Sequence, residues 1–171
     1  MVVIGTIGLG SNLGDRSEHL CLGLLGLERA GLELWAVSSV WETEPVDVVG
    51  GLWFFNMAVK FSTSRDPHLL LDDLQRIELA QGRLRQVQNG PRTLDLDLLT
   101  LSDLQLRSDR LQLPHPRMWR RRFVLEPLAE VAPELCNPAT GRTIAQEVAL
   151  LAGAESVSRI GRLASAGALP L

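Results

Sequence analysis

Leucine and aspartate alternate through Leu94, Asp95, Leu96, Asp97 and Leu98, just after Gly90-Pro91-Arg92 and just before Leu99-Thr100-Leu101. Period-two alternation marks a strand with one face against a core and the other turned away from it. Asp95 and Asp97 then project from one face, their side-chain origins about 6.5 to 7 Å apart, while the leucines anchor the strand. At that spacing two carboxylates suit one or two hard cations, and without a counter-charge one pKa is pushed upward. Arg92 adds a planar donor suited to phosphate. Taken alone, such an acid pair reads more readily as the solvated face of an edge strand.

With 171 residues the chain fits a single domain over 1–171, large enough to bury a core without disulfides. Cys21 and Cys136 lack metal-ligand spacing and read as free thiols in a reducing compartment. The opening MVVIGTIGLG lacks the basic flank of a signal peptide, and no apolar run approaches the roughly 20 residues of a membrane span. A soluble, cytoplasmic protein with no membrane partner is therefore expected. The net charge of -3 argues against a general nucleic-acid binder. Its distribution says more: from Arg83 to Arg122 nine arginines accompany four acids, so this stretch carries +5 and the remainder -8. A basic middle holding two clustered acids suggests a polyanion held with a metal, for which a nucleoside triphosphate is the obvious candidate. The alternative is that a chain with one lysine, Lys60, uses arginine for all its surface cations.

Val2 to Gly10 reads as a first strand ending in a Gly-Ser-Asn turn, and Asp15 caps a Leu-rich helix to about Ala30 with Leu20, Leu24 and Leu27 on one face. Leu32 to Trp41 and Trp53 to Phe61 read as the second and third strands, with Trp53 and Phe55 facing the core. The connection between them, Thr43 to Leu52, is long for a hairpin and is a candidate functional loop. Asp66-Pro67 starts a second helix that runs to Gly82, and the Asp95–Asp97 strand follows. Strand, helix, strand, strand, helix, strand is the order of a split βαβ, or ferredoxin-like, sandwich. Beyond it, prolines at 114, 116, 127, 133 and 138 cut the chain into short pieces, Thr143 to Leu151 reads as a last helix, and about 160–171 is expected to be a loosely attached tail.

Four blocks together resemble the 6-hydroxymethyl-7,8-dihydropterin pyrophosphokinase family: GLGSNLGDR; FFNMAV; QRIELAQGRLR with GPRTLDLDLL; and LPHPRM with RFVLEPLAEVAPEL. They run from Gly8 to Leu135 in the family's order. The resemblance implies a ferredoxin-like αβα sandwich with a mainly antiparallel sheet and added C-terminal helical elements. It also implies an ATP-dependent enzyme of folate biosynthesis, usually a monomer, that moves pyrophosphate from ATP to the pterin hydroxymethyl group and releases AMP. Such a step depends mainly on positioning and charge neutralisation.

By that resemblance Asp95 and Asp97 hold two Mg²⁺ ions on the triphosphate. Arg83, Arg85 and Arg92 contact phosphate, the last two bordering a closing loop matched here by Gln86 to Asn89. Glu78, Leu98, Arg110, Gln112, His115 and Arg121 complete the ATP side. His115 alone reads as a turn histidine, and Arg120 or Arg122 could substitute for Arg121. A flat pterin calls for a slot between aromatic rings with hydrogen bonds at its edge. Phe54 and Phe123 match those rings, and Thr43, Glu44, Val46, Asn56 and Asp95 line the edge, although strand aromatics are more often core. Two departures stand out: Glu44 where relatives often carry proline, and Asn89 where they carry tryptophan. A non-catalytic RNA-binding module is the competing reading, opposed by the acidic net charge.

Gly8, Gly10 and Gly14 are spaced as G-x-G-x-x-x-G, not as a dinucleotide fingerprint, and no phosphate-binding G-x-x-x-x-G-K-[ST] loop is present. The glycines read as a turn feature that allows close backbone approach to the pterin slot.

Overall fold

The structure, a computed structural model, describes residues 1–46, 51–83, 91–151, 153 and 155–163. β1 (Val3–Ser11) turns through Asn12–Gly14 into α1 (Arg16–Arg29), capped by Asp15, whose carboxylate accepts from the Glu18 amide at 3.0 Å. Leu20, Leu24 and Leu27 are its buried stripe. The expected second strand is two, β2 (Glu33–Val37) and β3 (Val40–Thr43), broken at Ser38-Ser39 and both paired to β4 (Phe54–Thr63). Ser38 fills the break: its amide donates to the Ala58 carbonyl and its hydroxyl accepts from the Ala58 amide, both at 2.9 Å. α2 (Pro67–Ala80) starts at an Asp66 cap with Pro67 in its first turn, and β5 (Asp95–Leu101) completes the repeat.

All sheet pairings are antiparallel, in the order β5-β1-β4-β3, with β2 also along β4. This ordering is the ferredoxin-like one. α1 and α2 cover one face, over Ile7, Leu9, Phe61, Leu94, Leu96 and Leu98. Burying these side chains is the main stabilising term, at about 1.5–3 kcal/mol for each large apolar group. Gly26 lets the helices meet closely, since a Cβ there would lie 2.7 Å from Ile77.

The other face is covered by an element that proline counting obscured. α3 (Arg122–Val131) contains Pro127 and buries Val124, Leu125, Leu128 and Val131 against Ala58 and Leu99. A proline costs a helix one hydrogen bond, and here a dense apolar face offsets it. α4 (Ile144–Leu150) begins at a Thr143–Gln146 capping box. The short hairpin β6 (Leu106–Arg107) and β7 (Gln112–Leu113) precedes a cis Leu113–Pro114 bond and a 3-10 turn at Met118–Arg120.

Two further expectations are corrected. The chain from about 160 is not loose at its start: 160 and 161 close β8 (Val157–Gly161), an edge strand on β3, and Leu163 packs on the first core; 164–171 lie outside the described residues. Trp53 is not core: it is 43% exposed, whereas Phe55 packs against the first core beneath the Arg16 guanidinium at 3.6 Å.

Candidate active site

The register of three strands lays out the site. Asp97 stands opposite Gly8 and Gly8 opposite Ala58; Asp95 stands opposite Gly10 and Gly10 opposite Asn56. These residues alternate with the core leucines and so share the α3 face of the sheet. Small residues between an acidic edge and an amide edge leave an open floor, above which lies a cleft of about 600 Å³. Gly8 and Gly10 are therefore strand residues, not a turn. A Cβ on Gly10 would lie 2.8 Å from Asn56 Oδ1.

On the acidic edge, Asp95 is held by two guanidinium groups, Arg83 Nη1 at 2.7 Å and Arg92 Nη1 at 2.5 Å. Arg83 also pairs with Glu78, whose buried carboxylate accepts from the Leu96 amide at 2.8 Å. Burial is the largest influence on Glu78 and raises its pKa, opposed by that amide and by Arg83. Glu78 thus props Arg83 and β5 from the end of α2. Asp97 has its pKa pushed up to about 7, first by burial and second by the Asp95 charge, with Arg121 opposing. Arg85 and the segment Gln86–Asn89 lie outside the described residues.

A second cavity, of about 390 Å³, lies beside the first and is lined by Leu98, Arg110, Gln112, His115 and Arg117. Asp97 and Arg117 line both. Arg110 is turned to Asp72 of α2 at 2.5 Å. His115 has its pKa lowered to about 4, chiefly by burial and then by Arg121 and Arg117. The Arg117 amide donates to His115 Nδ1 at 3.3 Å, so the neutral ring carries its proton on Nε2, a donor suited to a phosphate oxygen.

Across the first cleft, Asn56 donates to the Thr43 hydroxyl at 2.7 Å, which fixes its amide plane. Phe54 and Phe123 line the same cleft, with Arg121 5.5 Å from the Phe123 ring centre. Val46 is at the exposed rim. Glu44 is used structurally: its amide donates to the Ser156 carbonyl at 3.1 Å and its carboxylate accepts from the Ser156 amide at 2.8 Å. A proline there could make neither the first bond nor the second.

Asn12 was not among the sequence candidates. It is buried, and it exchanges both hydrogen bonds with the Arg92 backbone, amide to carbonyl at 3.0 Å and Arg92 amide to Oδ1 at 2.7 Å. Its Nδ2 donates to the Leu52 carbonyl at 3.4 Å, so one side chain joins the segments on both sides of the cleft. Its position in GLGSNLGDR was the available signal.

Among the described residues no cluster of three His, Cys, Asp or Glu could hold a metal alone. Mg²⁺ characteristically uses one or two carboxylates and takes its other ligands from phosphate and water, so the Asp95–Asp97 pair fits it if a polyphosphate is also bound.

An αβα sandwich with two acids on the floor of a cleft, one of them shared with a second cavity, and arginines converging on them suits a transferase of phosphate-containing groups. A model of the family described as 7,8-dihydro-6-hydroxymethylpterin-pyrophosphokinase matches residues 6–133. The 2-amino-4-hydroxy-6-hydroxymethyldihydropteridine pyrophosphokinase of Bacillus subtilis is 43% identical over 145 residues, covering 84% of this chain and 87% of that one. The Pseudomonas aeruginosa protein of the same name is 42% identical over 133 residues, covering 77% and 82%. The fold matches a Plasmodium falciparum HPPK-DHPS crystal structure with TM-score 0.68 at 15% identity, over 88% of this chain but 44% of that longer one. The chain belongs to the 7,8-dihydro-6-hydroxymethylpterin-pyrophosphokinase family. That family's reaction is pyrophosphoryl transfer to hydroxymethyldihydropterin in folate biosynthesis, with ATP as co-substrate.

Proposed function

We propose that this chain carries out the family's transfer with ATP seated over the second cavity and the pterin in the first, meeting at Asp97. The observation that carries this reading is that Asp97 lines both cavities. The pterin hydroxymethyl oxygen attacks the β-phosphorus of ATP; the bond from that phosphorus to the α–β bridging oxygen breaks, AMP leaves, and the hydroxyl proton is released to solvent. Asp95 and Asp97 would hold two Mg²⁺ ions, which when bound supply charge neutralisation along the triphosphate and acidify the attacking hydroxyl.

The protein's own groups do the positioning. Arg83 and Arg92, which hold Asp95, are the guanidinium groups assigned to the phosphates, and Arg85 belongs with them. Neutral His115 donates from Nε2 to the triphosphate, with Arg110 and Gln112 on the same side; Arg121, which lines the first cavity, is assigned to the triphosphate by the resemblance. Leu98 contributes its backbone, and Glu78 acts through Arg83. Phe54 and Phe123 sandwich the pterin, and Asn56, held by Thr43, reads its edge beside the backbone around Glu44 and Val46. We further propose a cytoplasmic monomer acting on these two small molecules, with neither nucleic acid nor membrane as partner. Incubation with ATP, Mg²⁺ and 6-hydroxymethyl-7,8-dihydropterin is expected to yield AMP and the pterin diphosphate; ADP as the nucleotide product would refute the reading.

A further inference from the structure

Phe123 occupies an unusual backbone position. It lies in the first turn of α3, where an amide has no helical acceptor, and the preceding Arg121 provides no side-chain cap. Its carbonyl is the one that residue 127 would bond four positions on, and that residue is Pro127, which has no N–H. The helix therefore gives the ring-bearing residue of this turn little hold of its own.

Glu155, immediately before β8, makes up the difference. Its carboxylate accepts from the Phe123 amide at 3.3 Å, and its carbonyl accepts from Arg122 Nη1 at 3.2 Å. An anion at a helix N-terminus is also favoured by the helix dipole. The next residue, Ser156, exchanges two hydrogen bonds with Glu44, beside Thr43. Two consecutive residues thus tie the Phe123 wall of the cleft to the Thr43–Glu44 wall. Both lie beyond residue 133, where the family match ends.

We propose that Glu155 and Ser156 form a clamp that sets the width of the pterin slot, with Glu155 a positioning residue for pterin and not for ATP. The proposal rests on the placement of pterin against Phe123. Without the Glu155 carboxylate the Phe123 amide loses its acceptor and the ring is held less firmly, whereas the acid pair lies on β5 and the second cavity is lined from other elements.

The test compares steady-state KM values for 6-hydroxymethyl-7,8-dihydropterin and for ATP in four variants. Glu155→Ala is expected to raise the pterin KM about fivefold or more, the scale of losing one helix-capping hydrogen bond, with kcat and the ATP KM within about twofold of wild type on the same scale. Glu155→Gln keeps an acceptor oxygen and is expected to restore most of the difference. Ser156→Pro deletes the N–H held by Glu44 at a strand edge that tolerates proline, and is expected to produce the same pterin-selective loss from the opposite wall. Phe123→Ala reports on the slot itself. If Phe123→Ala raises the pterin KM while Glu155→Ala and Ser156→Pro leave it unchanged, the clamp is refuted and the slot stands. Equal losses for ATP and pterin in Glu155→Ala would also refute it, as general loosening. An unchanged pterin KM in Phe123→Ala would overturn the slot reading and the clamp together.

Discussion

Arg92 and Asp95 are paired at 2.5 Å, and the backbone of the same arginine is held on both sides by Asn12. The arginine and the acid are thus held in register in advance, which lowers the cost of ordering them around the triphosphate proposed to bind here.

Next to this pair, Asp97 has a pKa raised to about 7 by burial and then by Asp95. For an acid held protonated by the fold, stability is fully present below the unfolded value of 3.8 and is lost as pH rises toward 7. Asp97→Asn is therefore expected to be more stable than wild type at neutral pH without divalent cation, by on the order of 1–2 kcal/mol after allowing for solvent screening in the cleft. Its turnover should fall at least about 100-fold, the scale of losing one group that stabilises transition-state charge. Thermal unfolding without Mg²⁺, together with AMP release, checks both halves; a less stable, active variant contradicts the assignment.

His115 gives a pH dependence of its own. Its pKa in the fold, about 4, lies below the ordinary 6.5 because burial, Arg121 and Arg117 disfavour the cation. The unfolded chain therefore takes up the proton first. This part of the stability is intact above 6.5, declines as pH falls, and levels off below about 4. His115→Gln is expected to flatten the stability curve over that window, measured as the difference in denaturant midpoint between variant and wild type from pH 7 to 4.

Gly10→Ala places a methyl group 2.8 Å from Asn56 Oδ1 on the cleft floor. Asn56 is held by Thr43 and has little freedom to retreat. We expect destabilisation of about 1–3 kcal/mol, with pterin affinity by calorimetry falling more than ATP affinity. Gly8→Ala meets only Leu99 at 3.6 Å and beyond and should fold normally.

Asn12→Ala removes the side-chain acceptor of the Arg92 amide and the donor to Leu52. The cost to stability should be about 1–2 kcal/mol, set by the unsatisfied, partly buried amide. Because the two segments flank different parts of the cleft, KM for both substrates should rise, in contrast to the pterin-selective effect at Glu155.

The ferredoxin-like order was legible because each element carries its own local signal. Asp15 and Asp66 cap helices, Pro67 opens one, and Leu94 to Leu98 alternate at the strand period. α3 was not, since Pro127 is a local helix breaker and only the buried face on Ala58 and Leu99 overrides it. The break between β2 and β3 was equally hidden, because Ser38 and Ser39 fit a strand until Ser38 bonds across to Ala58. β8 has an exposed, mixed sequence, and its partner is more than a hundred residues away.

For the site, sequence alone determined which residue types were available and which shared a strand face in two cases: Asp95 with Asp97, and Phe54 with Asn56. Those relations follow from a two-residue period and need no partner. Tertiary structure decided what stands opposite what. The antiparallel register set glycines between the acids and the amide, turned Glu44 to Ser156, and brought Glu155 to the amide of Phe123. Such pairings depend on chain closure over long separations, which no local pattern encodes.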